Sequence, residues 1–229
     1  MTNKLIDEIR NNLDNGNVTS EMLFDEVTSK AKKYQDEYNS FVTIMDKKEE
    51  MEGDSILRGI PYALKDNIST KGILTTASSN ILKDYIPLYD ATIYKKLKES
   101  GAVLMGKTVL DELAMGGTGT TGHTGIVRNP WNKERMIGGS SAGSAAAVAL
   151  GIVPFAIGLP LSGRKEYPAR VIAMRAINDQ QNSFEARSTP SDKSRAKRIS
   201  GATVRKSSIK TDKIESRSAN GITRLSPIS

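Results

Sequence analysis

Apolar residues recur at helical spacing twice near the start of the chain. Leu5, Ile6, Ile9 and Leu13 share one face of a helix predicted over residues 3–14, and Met22, Leu23, Val27 and Ala31 do the same over about 20–37. Ser20 is placed to cap the second helix. The period then changes. Phe41-Val42-Thr43-Ile44-Met45 is short and β-branched, which predicts a strand. Ile60 to Leu64 predicts a second strand, which delivers Lys65 at its end. Asp90 is expected to cap a helix carrying Ile93, Tyr94 and Leu97, closed by Gly101. Ala102-Val103-Leu104-Met105 follows as a buried strand. Strand, helix and strand in that order predict a parallel pair with a helix on a sheet face, so the fold class is α/β.

From Thr108 to Ile137 glycine and threonine interrupt any period, most densely between Gly116 and Gly125, and a long loop is expected. Met136-Ile137-Gly138-Gly139-Ser140-Ser141-Ala142-Gly143-Ser144 then runs into the small residues Ala145 to Gly151. A helix over 141–150 and a strand over 153–157 are predicted there. After Gly158 neither period persists. The ordered domain is expected to end near residue 158, or 175 at the furthest, leaving 159–229 as a disordered tail.

Charge sharpens that boundary. The 229 residues carry a formal net charge of +7, but residues 1–158 have a balance of −2 and residues 159–229 one of +9. A basic stretch can bind nucleic acid. This one has no motif and only Tyr167 and Phe184 as aromatics, so a solvated tail is the simpler reading. The absence of cysteine excludes disulfides, thiolate zinc sites and a cysteine nucleophile. His123 is the single histidine, which excludes a histidine metal cluster, and no metal or cofactor site is expected. No apolar run approaches the ~20 residues of a membrane span. The polar N-terminus lacks a signal-peptide apolar region, so a cytoplasmic protein is expected.

Two stretches carry candidate chemistry. Lys65 follows Tyr62-Ala63-Leu64. Exposed at a strand end it would be an ordinary surface lysine; desolvated, its ammonium is disfavoured and the neutral amine becomes a base. Asp66 would oppose that shift if it came close. Gly138-Gly139-Ser140-Ser141 reads as a helix-capping loop, a phosphate cradle or a proton relay of hydroxyls. No lysine follows the glycines as in a P-loop. No G-x-S-x-G elbow accompanies His123 for a histidine triad. Asp111 and Glu112 are adjacent, and neighbours on a helix point apart, so they do not read as an acid pair.

Their order along the chain adds what each stretch lacks alone. Gly59-Ile-Pro-Tyr-Ala-Leu-Lys65-Asp-Asn-Ile68, Thr75-Thr-Ala-Ser78, Asp90-Ala-Thr, Gly101-Ala-Val-Leu-Met-Gly-Lys107-Thr, Asp111-Glu-Leu-Ala-Met-Gly116, Asn129-Pro-Trp131 and Gly138-Gly-Ser-Ser-Ala-Gly-Ser144 occur in one sequence. Over about residues 1–158 this closely resembles the amidase signature family. Within that family, Asp111 to Gly116 and the N-terminal helices are most similar to the amidase subunits of the glutamyl-tRNA(Gln)/aspartyl-tRNA(Asn) amidotransferases.

The resemblance implies the amidase-signature fold, a mixed sheet with helices on both faces, here truncated. It implies a Ser–Ser–Lys triad in which Lys65 is the base and Ser140 the bridging serine on a cis peptide, supported by Gly139 and Ser141. It places the nucleophile in a Ser-Asp-Thr-Gly-(Gly/Asp)-Ser stretch directly after the strand at 153–157. This chain has Leu159-Pro160-Leu161-Ser162-Gly163-Arg164-Lys165-Glu166 there, with Arg164 at the nucleophile position and Ser162 two residues early. An arginine stays protonated and cannot attack.

The activity implied is release of ammonia from glutamine, converting Glu-tRNA(Gln) to Gln-tRNA(Gln) with ATP. The implied partners are the B and C subunits of the amidotransferase, with misacylated tRNA reached through the B partner. ATP and Mg would be used by that partner, with no cofactor in this chain and no membrane. This chain itself is expected to be inactive, with 159–229 an out-of-frame or fused continuation of an amidase gene. A non-catalytic fragment limited to partner binding, or a stand-alone amidase of the same family, are the alternatives.

Overall fold

The computed structural model describes residues 4–158 and the strand 170–173. Helix α1, Lys4–Asp14, and helix α2, Ser20–Tyr38, lie close to the predicted spans. Thr19, one residue before the expected Ser20, is the cap of α2: its hydroxyl accepts from the Met22 N–H at 3.2 Å. The buried stripe of α2 is Phe24, Val27, Thr28 and Ala31, whereas Met22 is 56% exposed. The sequence reading thus set the start of that stripe too early, because both phasings carry apolar side chains. Asn39 ends α2 in the left-handed region, φ 51°, with its N–H on the Gln35 carbonyl. The Gln35 amide then clamps the first residue of the next strand, donating to the Phe41 carbonyl and accepting from the Phe41 N–H.

Five strands form one sheet: β1 Phe41–Ile44, β2 Pro61–Lys65, β3 Val103–Thr108, β4 Phe155–Gly158 and β5 Arg170–Ala173, in the order β1-β3-β2-β4-β5. The three central strands are parallel, and β1 and β5 are antiparallel at the edges. Helix α3, Thr92–Glu99, makes the β2–β3 crossover that the pattern predicts. Asp90 does not cap it; its Oδ1 accepts from the Lys71 N–H at 2.6 Å and holds the preceding loop. Strand β5 falls inside the segment read as tail and is not announced by the sequence pattern. The rest of that segment lies outside the described residues.

Two apolar layers enclose the sheet. Phe24, Val27 and Ala31 of α2 and Ala147 and Val148 of helix α4, Ala142–Ala149, pack on Ala63, Val103, Met105 and Ala156. On the other face, Ile6 of α1 and Tyr94 and Leu97 of α3 meet Tyr62, Leu64, Leu104, Phe155 and Ile157. Tyr62 and Phe155 stack at 5.4 Å. Helix α4 is buried almost throughout, so its small residues show no polar stripe. Its Gly143 lies against the main chain of Val109, where a Cβ would come within 2.6 Å of the Val109 nitrogen.

One irregularity decides which way the polar residues of β3 point. The β2–β3 register slips between Tyr62 and Ala63, so that Tyr62 faces Leu104 but Ala63 faces Gly106. Such a bulge adds one residue to a strand and inverts the alternation beyond it. Gly106 fits there because a Cβ would lie 2.6 Å from the Thr43 carbonyl oxygen. Beyond the bulge Thr108 turns towards α4 and Lys107 towards the α1–α3 side.

Phe24→Ala should cost about 3–5 kcal/mol of stability, as expected for truncating a buried phenylalanine. Met22→Ala should stay within about 0.5 kcal/mol, as at other exposed positions. Urea unfolding of the two full-length variants checks this, and similar losses in both would mean that the stripe is misplaced.

Candidate active site

Lys65 ends β2 between β3 and β4, and no part of its surface is exposed. Its Nζ donates to Ser140 Oγ at 2.7 Å across 75 residues of sequence. Burial lowers the Lys65 pKa to about 8, and the charge of Asp111 raises it again in part. At that value about a tenth of the amine is neutral at pH 7, enough for a base that works by brief deprotonation. The charge that opposes the shift is therefore Asp111, not the adjacent Asp66 that the sequence suggests.

Ser140 is 1% exposed and follows a cis peptide bond from Gly139. Its carbonyl accepts from the Asp111 N–H at 3.1 Å. Ser141 stands at the N-cap of α4 without a capping bond from its side chain. Ser144, one turn into α4, is fully buried. Its hydroxyl pairs with Thr108 Oγ1 at 2.6 Å and donates to the Ile157 carbonyl at 3.2 Å, fastening α4 to β3 and β4. Lys65, Gly139, Ser140 and Ser141 are thus brought to one place. Ser162 and Arg164 lie outside the described residues.

Two buried charges were missed by reading the sequence. Lys107 is fully buried on the opposite face, donating to the Ile68 carbonyl (2.9 Å), Thr75 Oγ1 (2.7 Å) and Thr70 Oγ1 (3.2 Å). Asp66 Oδ1 is 3.7 Å away. Burial lowers the Lys107 pKa to about 8 against the pull of Asp66. Burial likewise raises the Asp66 carboxyl, against hydrogen bonds from Thr76 and the charge of Lys107. Asp111 is the other, fully buried among backbone N–H groups of the glycine-threonine loop. No group of three or more metal-ligating side chains occurs among the described residues. No described helix is long and apolar enough to cross a membrane.

Residues 1–163 match the family model described as Amidase, and the chain belongs to that family. Among individual relatives, it is 45% identical over 176 residues to the A subunit of the glutamyl-tRNA(Gln) amidotransferase of Saccharolobus solfataricus. That match covers 74% of this chain and 37% of the relative. It is 42% identical to the protein of the same name from Streptococcus pneumoniae, covering 73% and 36%. The crystal structure of the corresponding glutamyl-tRNA(Gln) amidotransferase protein from Thermotoga maritima superposes with a TM-score of 0.57 at 42% identity, covering 61% of this chain and 30% of that one. The peptide amidase of Stenotrophomonas maltophilia gives 0.59 at 26% identity, covering 67% and 35%. The chain spans little more than a third of the curated relatives it matches.

The two lysines set a pH dependence. Each titrates at about 8 when folded and near its ordinary 10.5 when unfolded. Between these values the unfolded chain binds more protons, so stability should rise with pH, by about 1–2 kcal/mol per lysine from pH 8 to 10. Burial holds the Tyr62 and Tyr94 hydroxyls above their ordinary 10.0, so the sign reverses beyond about pH 10. Urea midpoints measured at intervals across this range check it, and a flat or falling curve from 8 to 10 would contradict the burial of both amines.

Proposed function

We propose that this chain carries the lysine and the bridging serine of an amidase that acts on glutamine, as the amidase subunit of a tRNA-dependent amidotransferase. The observation that carries this reading is the buried 2.7 Å contact between Lys65 Nζ and Ser140 Oγ. In the reaction, neutral Lys65 accepts a proton from Ser140, and Ser140 accepts one from a nucleophilic serine. The serine oxygen bonds to the glutamine side-chain carbonyl carbon, the C–N bond breaks, and ammonia leaves after the same relay returns a proton. Water then hydrolyses the acyl ester. The amidotransferase assignment, rather than a stand-alone amidase, is favoured by the 42–45% identity to relatives of that name, against 26% to the peptide amidase. The B and C subunits would be its partners in the cytoplasm, with ATP, Mg and misacylated tRNA handled by the B partner.

Arg164 occupies the position where the resemblance places the nucleophile. A guanidinium offers no lone pair for attack, so this chain is proposed to be catalytically inactive and limited to partner binding. With the full chain and glutamine, ammonia release is expected to match that of Lys65→Ala. Glutamine-dependent ammonia that disappears in Lys65→Ala would overturn the inactivity and supply a nucleophile yet to be located.

A further inference from the structure

The proton relay from a serine through Ser140 to Lys65 does not use Asp111, yet this carboxylate holds together more of the site than any other described side chain. Oδ2 accepts from the N–H groups of Thr118 and Gly119, both at 3.1 Å. Oδ1 accepts from the N–H of Gly119 (2.9 Å), Thr120 (3.1 Å) and Thr121 (3.4 Å), and from Thr121 Oγ1 (3.1 Å). Successive N–H groups converging on one anion form a nest. The Asp111 N–H meanwhile donates to the Ser140 carbonyl. Two glycines let the surrounding chain close in: a Cβ on Gly116 would lie 2.6 Å from Asp111 Cβ, and one on Gly139 would fall on Oδ2.

We propose that Asp111 is a positioning residue: its carboxylate gathers the loop Thr118–Thr121, its own N–H holds the Ser140 carbonyl, and together they set where Ser140 Oγ meets Lys65. The proposal rests on reading Lys65 and Ser140 as the relay. Burial pushes the Asp111 carboxyl up, but hydrogen bonds from Gly119, Thr121 and Thr118 outweigh it and hold the group below the usual carboxylate range. The loop therefore stays fastened throughout the neutral range. The same charge faces Lys65. From β3, uncharged Thr108 lies opposite Lys65, while Lys107 is turned to the other face with Asp66. Neither α4 nor β4 carries a charged residue, and the buried residues of α2 are Phe24, Val27, Thr28 and Ala31. Asp111 is the charge that raises the Lys65 pKa against burial, so removing it should lower that pKa.

The test uses the full chain with isotope-labelled lysine, following the Lys65 side-chain NMR resonance between roughly pH 6 and 10. In Asp111→Asn the Lys65 midpoint is expected to fall by about half a pH unit or more. Amide hydrogen exchange at Gly119 and Thr120 should rise about tenfold or more, with β2 and β3 unaffected. A purely packing role would leave the Lys65 midpoint in place. An unmoved midpoint, or unchanged exchange at both amides, overturns the proposal. If Asp111→Asn does not fold, Thr121→Val removes one donor and keeps the charge: faster exchange at Gly119 and Thr120 supports the proposal, and unchanged exchange overturns it. Ser140→Ala separates the two readings. A Lys65 resonance indifferent to Ser140→Ala sinks the relay, whereas one indifferent to Asp111→Asn sinks the role of Asp111.

Discussion

An amine buried in the middle of a sheet dictates what must surround it. Lys65 sits between two parallel strands with no access to water, where an ammonium ion is costly to keep without partners. Ser140 meets the nitrogen directly, and Asp111 supplies the nearby opposite charge. That one requirement explains why the Gly139–Ser140 peptide, the start of α4 and the loop 118–121 all converge on the end of β2. The glycines of this region are placed where other segments press in. Gly139 leaves room for Asp111 Oδ2, and Gly143 leaves room for the main chain of Val109, just beyond β3.

A second lysine makes the arrangement stricter. Lys107 and Lys65 stand on neighbouring strands, and unbroken alternation along β3 would carry Lys107 to the same face as Val103 and Met105, where Lys65 lies. Two buried ammonium groups on one face would each depress the other's protonation. The bulge at Gly106 separates them. Lys107 goes to the far face and ties Ile68, Thr70, Thr75 and Asp66 into the loop that leaves β2, while Thr108 takes the near face and binds Ser144. The sheet therefore keeps one lysine for structure and leaves the other facing the serine.

Family membership and site geometry speak to different levels of function. The family match and the identities of 42–45% establish the kind of protein. The Lys65–Ser140 contact establishes that this chain builds a buried amine–hydroxyl pair suited to moving protons.

Reading local period alone was enough for the alternation of strands and helices, because period is a property of the chain itself. The two-sided layering and the pairing of Lys65 with Ser140 came from the resemblance of the ordered motifs to the amidase signature family. The same reading missed the cap at Thr19, the phase of α2 and the loop-holding role of Asp90, because several neighbouring residues satisfied the same local rule. It also missed Lys107, whose burial depends on a one-residue slip between strands, and β5, whose pairing partner is supplied by β4. Asp111 was misjudged most. Beside Glu112 it looked like one of two helical carboxylates, whereas its surroundings come from residues 116–121 and 139–140. Folding alone brings those backbone N–H groups around it, and burial, unlike periodicity, is decided by the whole fold at once.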